Sequence, residues 1–303
     1  MRVLVTGAGG FIGRALVARL VEEGRQVVAL SRRPRAVTEA LPELSGAWAW
    51  QPQAGPPPAE ALEGVGAVVH LAGEPVAGIW TRAKRRAIED SRVSGTRHLV
   101  EGLVAGGTGG VLVSASAIGF YGERGDAILD EGEGPTDDFL SRVCRQWEQE
   151  ARQAEAAGWR VVRLRIGIVL ERGGGALGAM ERPFRLGMGG RLGRGRQWWS
   201  WIHREDLVEM ILWALGGQVG GAVNATAPGP VRQGEFAREL GRALHRPAWL
   251  PAPAFALRIL TGGFAWELLS SKRVLPRRAL EAGFRFRHPE LPAALGAIYG
   301  EAR

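Results

Sequence analysis

The chain has 303 residues, 46% of them hydrophobic, enough for one large domain or for a domain with a smaller partner. It contains no apolar run of the ~18–20 residues a membrane span requires. A single cysteine, Cys144, excludes an intrachain disulfide and fits a cytoplasmic location. Spaced Cys/His sets for structural zinc are missing. The net charge of +8 invites a nucleic-acid reading. Against it, the positive residues are spread along the chain and are nearly all arginine, Lys84 and Lys272 being the only lysines. Residue 1 runs straight into a strand pattern, so neither a signal nor a transit peptide is expected.

Val3 to Val5 reads as a short buried strand. It enters the glycine cluster Gly7, Gly9, Gly10 and Gly13, and Phe11 to Glu23 follows with helical amphipathicity. A helix N-terminus presents free N–H groups and the positive end of the dipole to an anion. Glycines let the backbone approach a pyrophosphate closely. Strand, tight turn and helix in this order predict a dinucleotide site, with Gly7, Gly10, Phe11, Ile12 and Gly13 as its cradle. The alternative is a glycine-rich turn that binds nothing.

Gln26 to Leu30 is a second strand, followed by Ser31-Arg32-Arg33-Pro34. NAD-selective proteins carry an acid there for the ribose 2′-hydroxyl. Here no acid is present, and the Arg32 guanidinium suits a 2′-phosphate. The expected cofactor is therefore NADP(H), contacted by Ser31 and Arg32, unless both arginines simply face solvent. Ala47 to Gln51 is a short third strand and Pro52 to Pro58 a proline-rich connection. Ala67 to Leu71 is the fourth, ending His70-Leu71-Ala72-Gly73. Small residues there let a dinucleotide lie on the sheet edge, and His70, inside an apolar run, reads as packed. Trp80 to Ala105 is a long helix, Val111 to Ser116 a fifth strand, Asp138 to Ala157 helical and Arg160 to Ile166 a sixth strand.

This alternation predicts an α/β fold with a doubly wound parallel sheet, a Rossmann fold, binding at the carboxyl ends of its strands. After Leu170 the rhythm breaks. Glu171 to Arg196 is rich in glycine and arginine, Trp198 to Ile202 is an aromatic strand, Arg204 to Leu215 a helix and Ala222 to Thr226 another strand. Helices follow near Gln233–Leu244 and Pro253–Leu260. The expected division is a dinucleotide-binding domain over residues 1–170, with 203–227 returning to it. Residues 171–202 and 228–303 would form a smaller C-terminal α/β substrate lobe.

Thr6-Gly7-x-x-Gly10-x-x-Gly13, His70-Leu71-Ala72-Gly73, Ser114-Ala115-Ser116 running into Tyr121-Gly122, and Trp201-Ile202-His203-x-x-Asp206-Leu207 together resemble the extended short-chain dehydrogenase/reductase superfamily, in its sugar-nucleotide epimerase group. More closely, the chain resembles an atypical branch of NAD-dependent epimerase/dehydratase-like proteins with a C-terminal domain of unknown function. That branch is marked by Gly73-Glu74-Pro75, Trp80, Ser91-Arg92, Ser116-Ala117-x-Gly119-x-Tyr121-Gly122, Phe139-Leu140, Trp147-Glu148, Asn224-Ala225-x-Ala227-Pro228, Arg246-Pro247 and Ala282-Gly283-Phe284-x-Phe286.

The resemblance implies a Ser/Thr, a Tyr and a Lys four residues beyond it, the tyrosine exchanging a proton at a carbinol. This chain departs from that pattern. Its two tyrosines, Tyr121 and Tyr299, are followed four positions on by Gly125 and Arg303, and the helix that should carry the pair has Phe139 or Leu140 and Val143 or Cys144 in the two slots. Ser116 aligns with the catalytic serine, or else caps the strand end. Tyr121 stands in as acid/base group, or else packs the loop. Ser114, Arg92 and Arg165 are implied cofactor contacts, with salt-bridged scaffold as the alternative for the arginines. Cys144 reads as core. The tryptophans Trp198, Trp199 and Trp201 either stack on a planar substrate or form the core of the lobe, and His203 and Asp206 read as structural. Two functions follow: an NADP(H)-dependent oxidoreductase or epimerase-like enzyme on a small-molecule substrate, or an NADPH-binding sensor without turnover. Neither nucleic acid nor membrane is expected as partner, and a homodimer is left open.

Overall fold

The computed structural model describes residues 1–107 and 109–300; Arg303, the position four beyond Tyr299, lies outside them. The first half alternates strand and helix as β1 (Arg2–Thr6), α1 (Phe11–Glu22), β2 (Gln26–Ser31), α2 (Pro34–Ala40), β3 (Gly46–Ala49), α3 (Ala59–Leu62), β4 (Val65–His70), α4 (Arg82–Gly106) and β5 (Gly110–Ala117). A short β6 (Ile128–Leu129), α5 (Phe139–Arg152) and β7 (Trp159–Ile166) complete it. Then come β8 (Ile168–Leu170), α6 (Gly175–Arg185), β9 (Trp198–Trp199), β10 (Trp201–His203), α7 (Arg204–Gly216) and β11 (Gly221–Ala225). The remainder is β12 (Val231–Arg232), α8 (Gln233–Ala243), α9 (Ala254–Thr261), α10 (Phe264–Leu269), β13 (Arg273–Val274), α11 (Arg277–Glu281) and α12 (Leu291–Tyr299).

Seven strands form one parallel sheet in the order β11-β7-β5-β4-β1-β2-β3. The chain winds outward from β1 in both directions, which puts the crevice for a ligand between the carboxyl ends of β1 and β4. Side chains on a strand alternate between faces. Val3 and Val5 therefore pack with Leu16, Val17 and Leu20 of α1 and with Leu207 and Ile211 of α7. Leu4 points the other way, into the layer with Leu99 and Leu103 of α4 and Ala151 of α5. Strands covered on both faces need continuous apolar runs, and β1, β2 and β4 have them.

The small lobe has a core of its own: Trp199 and Trp201 with Phe236, Leu240, Leu291 and Leu295. Of the two readings of the tryptophan cluster, the structure takes the core one for Trp199 and Trp201. Residues 171–196 also contain a helix that was not read in the sequence, α6, hidden by flanking glycines and by Pro183 inside it. Two sequence expectations are corrected. The third strand is Gly46–Ala49 rather than Ala47 to Gln51, and Trp50 beyond it turns inward. Residues 228–303 are not wholly a separate lobe, because Ala279 and Phe284 pack into the sheet's core.

His70 pins the centre of the sheet. Its Nδ1 meets Thr6 Oγ1 at 2.7 Å and its Nε2 meets Thr96 Oγ1 at 3.0 Å, joining β1, β4 and α4. Burial, with the nearby Arg92 charge, lowers this imidazole from 6.5 to about 4. The unfolded chain therefore binds the proton first, so stability is full above pH 6.5 and falls as pH drops toward 4. The loss across that window is about 3 kcal/mol. Urea unfolding at about pH 7 and about pH 4.5 should show a smaller acid loss for His70→Gln than for the parent chain. Equal losses would refute the assignment.

Candidate functional site

The β1–α1 turn is built so that the helix can start against the strand. Gly7 has φ +73°, a conformation that strains any other residue. A Cβ on Gly13 would overlap the Gly7 carbonyl oxygen and lie 2.8 Å from Ala8 Cα, so only glycine fits there. Gly10 caps α1 without a side chain, and the first turn carries no acid. The N–H groups of Phe11 and Ile12 are therefore open, at the positive end of the helix dipole. The Phe11 ring is packed against Gly174 and lies 5.2 Å from the Arg204 guanidinium, so this residue offers its backbone and not its side chain.

This turn is one wall of a cleft of about 370 Å³, closed by Leu71, Ala72 and Gly73 and by Ser31, Arg32 and Arg33. Thr6 Oγ1 accepts the N–H groups of Leu71 and Ala72 at 3.2 and 3.1 Å, which holds the two walls together. Ser31 Oγ accepts Arg33 N–H at 3.1 Å and shapes the bend after β2. Arg14, Arg32 and Arg33 all reach the cleft, and none meets a carboxylate among the described residues. Arg14 was missed in the sequence, although it directly follows Gly13; its Nε donates to Gly9 O at 3.0 Å. Trp50, also missed, forms the floor with Pro52. Three cations without carboxylate partners among the described residues, around a glycine turn with open amides, fit a pyrophosphate carrying an additional phosphate.

Beyond Gly73 lies Arg92. It donates to the carbonyls of Glu74 and Ile88 at 2.9 and 3.2 Å and stacks over Trp147 at 5.2 Å. Its guanidinium carbon is 3.4 Å from where a Cβ on Gly73 would sit, and no carboxylate pairs with it among the described residues. Burial pushes its pKa down, which makes an anion a favourable neighbour. Glu74 pairs instead with Lys84 at 2.6 Å. The other lysine, Lys272, pairs with Glu267 at 2.9 Å.

The opposite side of the sheet's rim is a closed polar network. Ser116 Oγ donates to Glu148 Oε1 at 2.8 Å. Arg165 holds both Glu148 oxygens, at 2.8 and 3.0 Å, and donates to Tyr121 Oη at 2.9 Å. Tyr121 Oη donates to Asn224 Oδ1 at 2.7 Å. Burial alone would lower the Arg165 pKa, but Glu148 overrides it and holds the guanidinium above its usual range.

Four sequence assignments are corrected by this network. Tyr121 is fully buried and its hydroxyl has a partner on each side. Burial pushes it up to about 12, so it is scaffold rather than the acid/base group. Arg165 takes the scaffold alternative, every contact being internal. Ser114 is fully buried beside His70 and does not line the cleft. Ser116, at the end of β5, is buried like Ser114 and does not line the cleft, and its hydroxyl proton is committed to Glu148. Cys144 sits 3.8 Å from a Cβ position on Gly119, and burial and Glu148 push its thiol up to about 12, which makes it inert. His203 Nδ1 accepts Glu205 N–H at 3.2 Å, and Asp206 accepts the N–H groups of Arg287 and His288, so these residues anchor the start of α7.

The network predicts unequal costs. Glu148→Ala strands a buried guanidinium and should lower unfolding stability by about 3–5 kcal/mol. Tyr121→Phe removes one hydroxyl and should cost about 1–2 kcal/mol. Urea melts that rank the two the other way would overturn the network's role.

Comparison with known proteins identifies the family. The model of the NAD dependent epimerase/dehydratase family matches residues 3–225, and a domain of unknown function (DUF1731) matches residues 252–298. A chloroplastic SDR39U1 homolog of Arabidopsis thaliana, itself called an epimerase family protein, is 40% identical over 309 residues, spanning 98% of this chain and 86% of the relative. The crystal structure of human epimerase family protein SDR39U1 (isoform 2) with NADPH superposes with a TM-score of 0.86 at 34% identity, covering 99% of each chain. MoeE5 in complex with UDP-glucuronic acid and NAD superposes at 0.78 with 25% identity, covering 98% of this chain and 97% of that one. The cradle, the seven-stranded sheet and these matches along nearly the whole length establish that the chain belongs to the NAD dependent epimerase/dehydratase family, among its SDR39U1-like members.

Proposed function

We propose that this protein binds NADP(H) and acts as an oxidoreductase or epimerase-like enzyme on a small substrate. The observation that carries the cofactor is the acid-free end of β2, where Arg32 and Arg33 join Arg14 at the cleft without carboxylate partners among the described residues. The human relative, crystallised with NADPH, supports the same reading.

In this reading the open amides of Phe11 and Ile12 hold the diphosphate, and Gly7, Gly10 and Gly13 allow the close approach. Ser31 and Arg32 hold the 2′-phosphate, and Leu71, Ala72 and Gly73 form the apolar ledge. Arg92 holds an anionic group where the cleft meets the small lobe. The cofactor, when bound, supplies hydride chemistry. The protein positions the reacting carbon. With Phe139, Leu140, Val143 and Cys144 in the slots of the usual dyad, the proton that accompanies the hydride comes from solvent.

The alternative, a sensor without turnover, rests on the missing dyad alone. A carbonyl library scored by loss of nicotinamide absorbance separates the two: consumption with at least one substrate supports the enzyme, and tight binding without consumption supports the sensor. For the cofactor, calorimetry should show tighter binding of NADPH than of NADH. Arg32→Glu should weaken NADPH by about 10–100-fold with little effect on NADH. NADH binding the parent chain more tightly than NADPH would sink the assignment.

A further inference from the structure

We propose that the outer edge of the small lobe is a docking surface for an anionic lipid bilayer. The helix α9 lies at its centre. It is eight residues long, yet only Leu257 on it is buried. Phe255, Ile259 and Leu260 are 67%, 76% and 71% exposed. Trp249 before the helix and Trp266 after it are 73% and 56% exposed.

These side chains belong to one continuous edge. Leu250 N–H donates to Gly189 O at 3.1 Å and Gly193 N–H to Ala252 O at 2.8 Å. The loop carrying the exposed Leu186 and Met188 thus runs beside the one carrying Trp249. At the far end, Gly262 lies against the exposed Ile79, whose Cγ2 is 3.3 Å from the glycine's Cβ position. Contiguous exposed apolar surface of this kind marks an interaction site rather than ordinary surface.

Charge identifies the occupant. Residues 182–196 and 246–266, which carry the exposed side chains of this edge, contain no Asp or Glu, and the carboxylates of Glu123 and Asp126 lie in the clefts at its inner margin. Arg191, Arg194, Arg196, Arg246 and Arg258 are exposed there, and none meets a carboxylate among the described residues. A second copy of the chain would bring arginine against arginine across a twofold interface. A folded partner would need preformed pockets for knobs that protrude this far. A fluid acyl layer moulds to any apolar shape, tryptophans favour its interface, and arginines favour anionic headgroups. No helix among the described residues is long and apolar enough to cross a membrane, so the contact is peripheral.

Vesicle co-sedimentation of the full chain tests this. Phosphatidylcholine vesicles containing about 30% phosphatidylglycerol should pellet the protein, and pure phosphatidylcholine vesicles should not. The triple variant Phe255→Ser, Ile259→Ser, Leu260→Ser should keep the parent's melting temperature and lose at least about tenfold in vesicle affinity. Arg194→Gln with Arg258→Gln should weaken the same binding while leaving the apolar residues in place. No pelleting with the mixed vesicles would overturn the proposal. So would undiminished pelleting of both variants, or a dimer in sedimentation velocity that the triple variant abolishes.

Discussion

The Glu148–Arg165 ion pair is the contact on which the carboxyl rim of the sheet depends. Through Ser116 it reaches β5, through Glu148 itself α5, through Arg165 β7, and through Tyr121 and Asn224 it reaches β11. Two charges this deep are tolerable only when each is paired and hydrogen-bonded, and here both carboxylate oxygens are used. A satisfied buried network holds one arrangement and resists change. Beside it, burial pushes the Tyr121 hydroxyl and the Cys144 thiol each up to about 12, so both keep their protons.

The crevice has the opposite character on its β1–β2 side. There the polar groups are left unspent: amides at the start of α1, and guanidiniums of Arg14, Arg32 and Arg33 with no carboxylate beside them among the described residues. One half of the site is finished by the protein and the other half is left open. The fold makes this possible because the strand order reverses between β1 and β4 while the strands stay parallel, which opens a gap that helices cannot fill.

What was legible in the sequence follows from the range of each interaction. The cradle could be read because its constraint is local: Gly7 and Gly13 are six residues apart, and the close approach shows directly as glycine. The strands could be read because β1, β2 and β4 are buried on both faces. The fate of Tyr121 could not, since its acceptor Asn224 is 103 residues away. Arg165 looked like a cofactor contact until Glu148, one helix earlier, claimed it. The helix α6 was hidden by its own glycines and proline, which lower helix propensity without forbidding a helix once Leu177 and Phe184 are buried. Ala279 and Phe284 joined the larger core through tertiary packing, which no local pattern encodes.

The two lysines govern how the protein meets amine-reactive chemistry. Lys84 and Lys272 each donate to a carboxylate, Glu74 and Glu267 respectively, and Lys272 is almost wholly enclosed. Arginine supplies the rest of the positive surface and is a poor nucleophile toward acyl donors and aldehydes. The folded chain thus presents almost no side-chain amine for spontaneous acylation or glycation, and reagents that label proteins through lysine will find its exterior nearly blank.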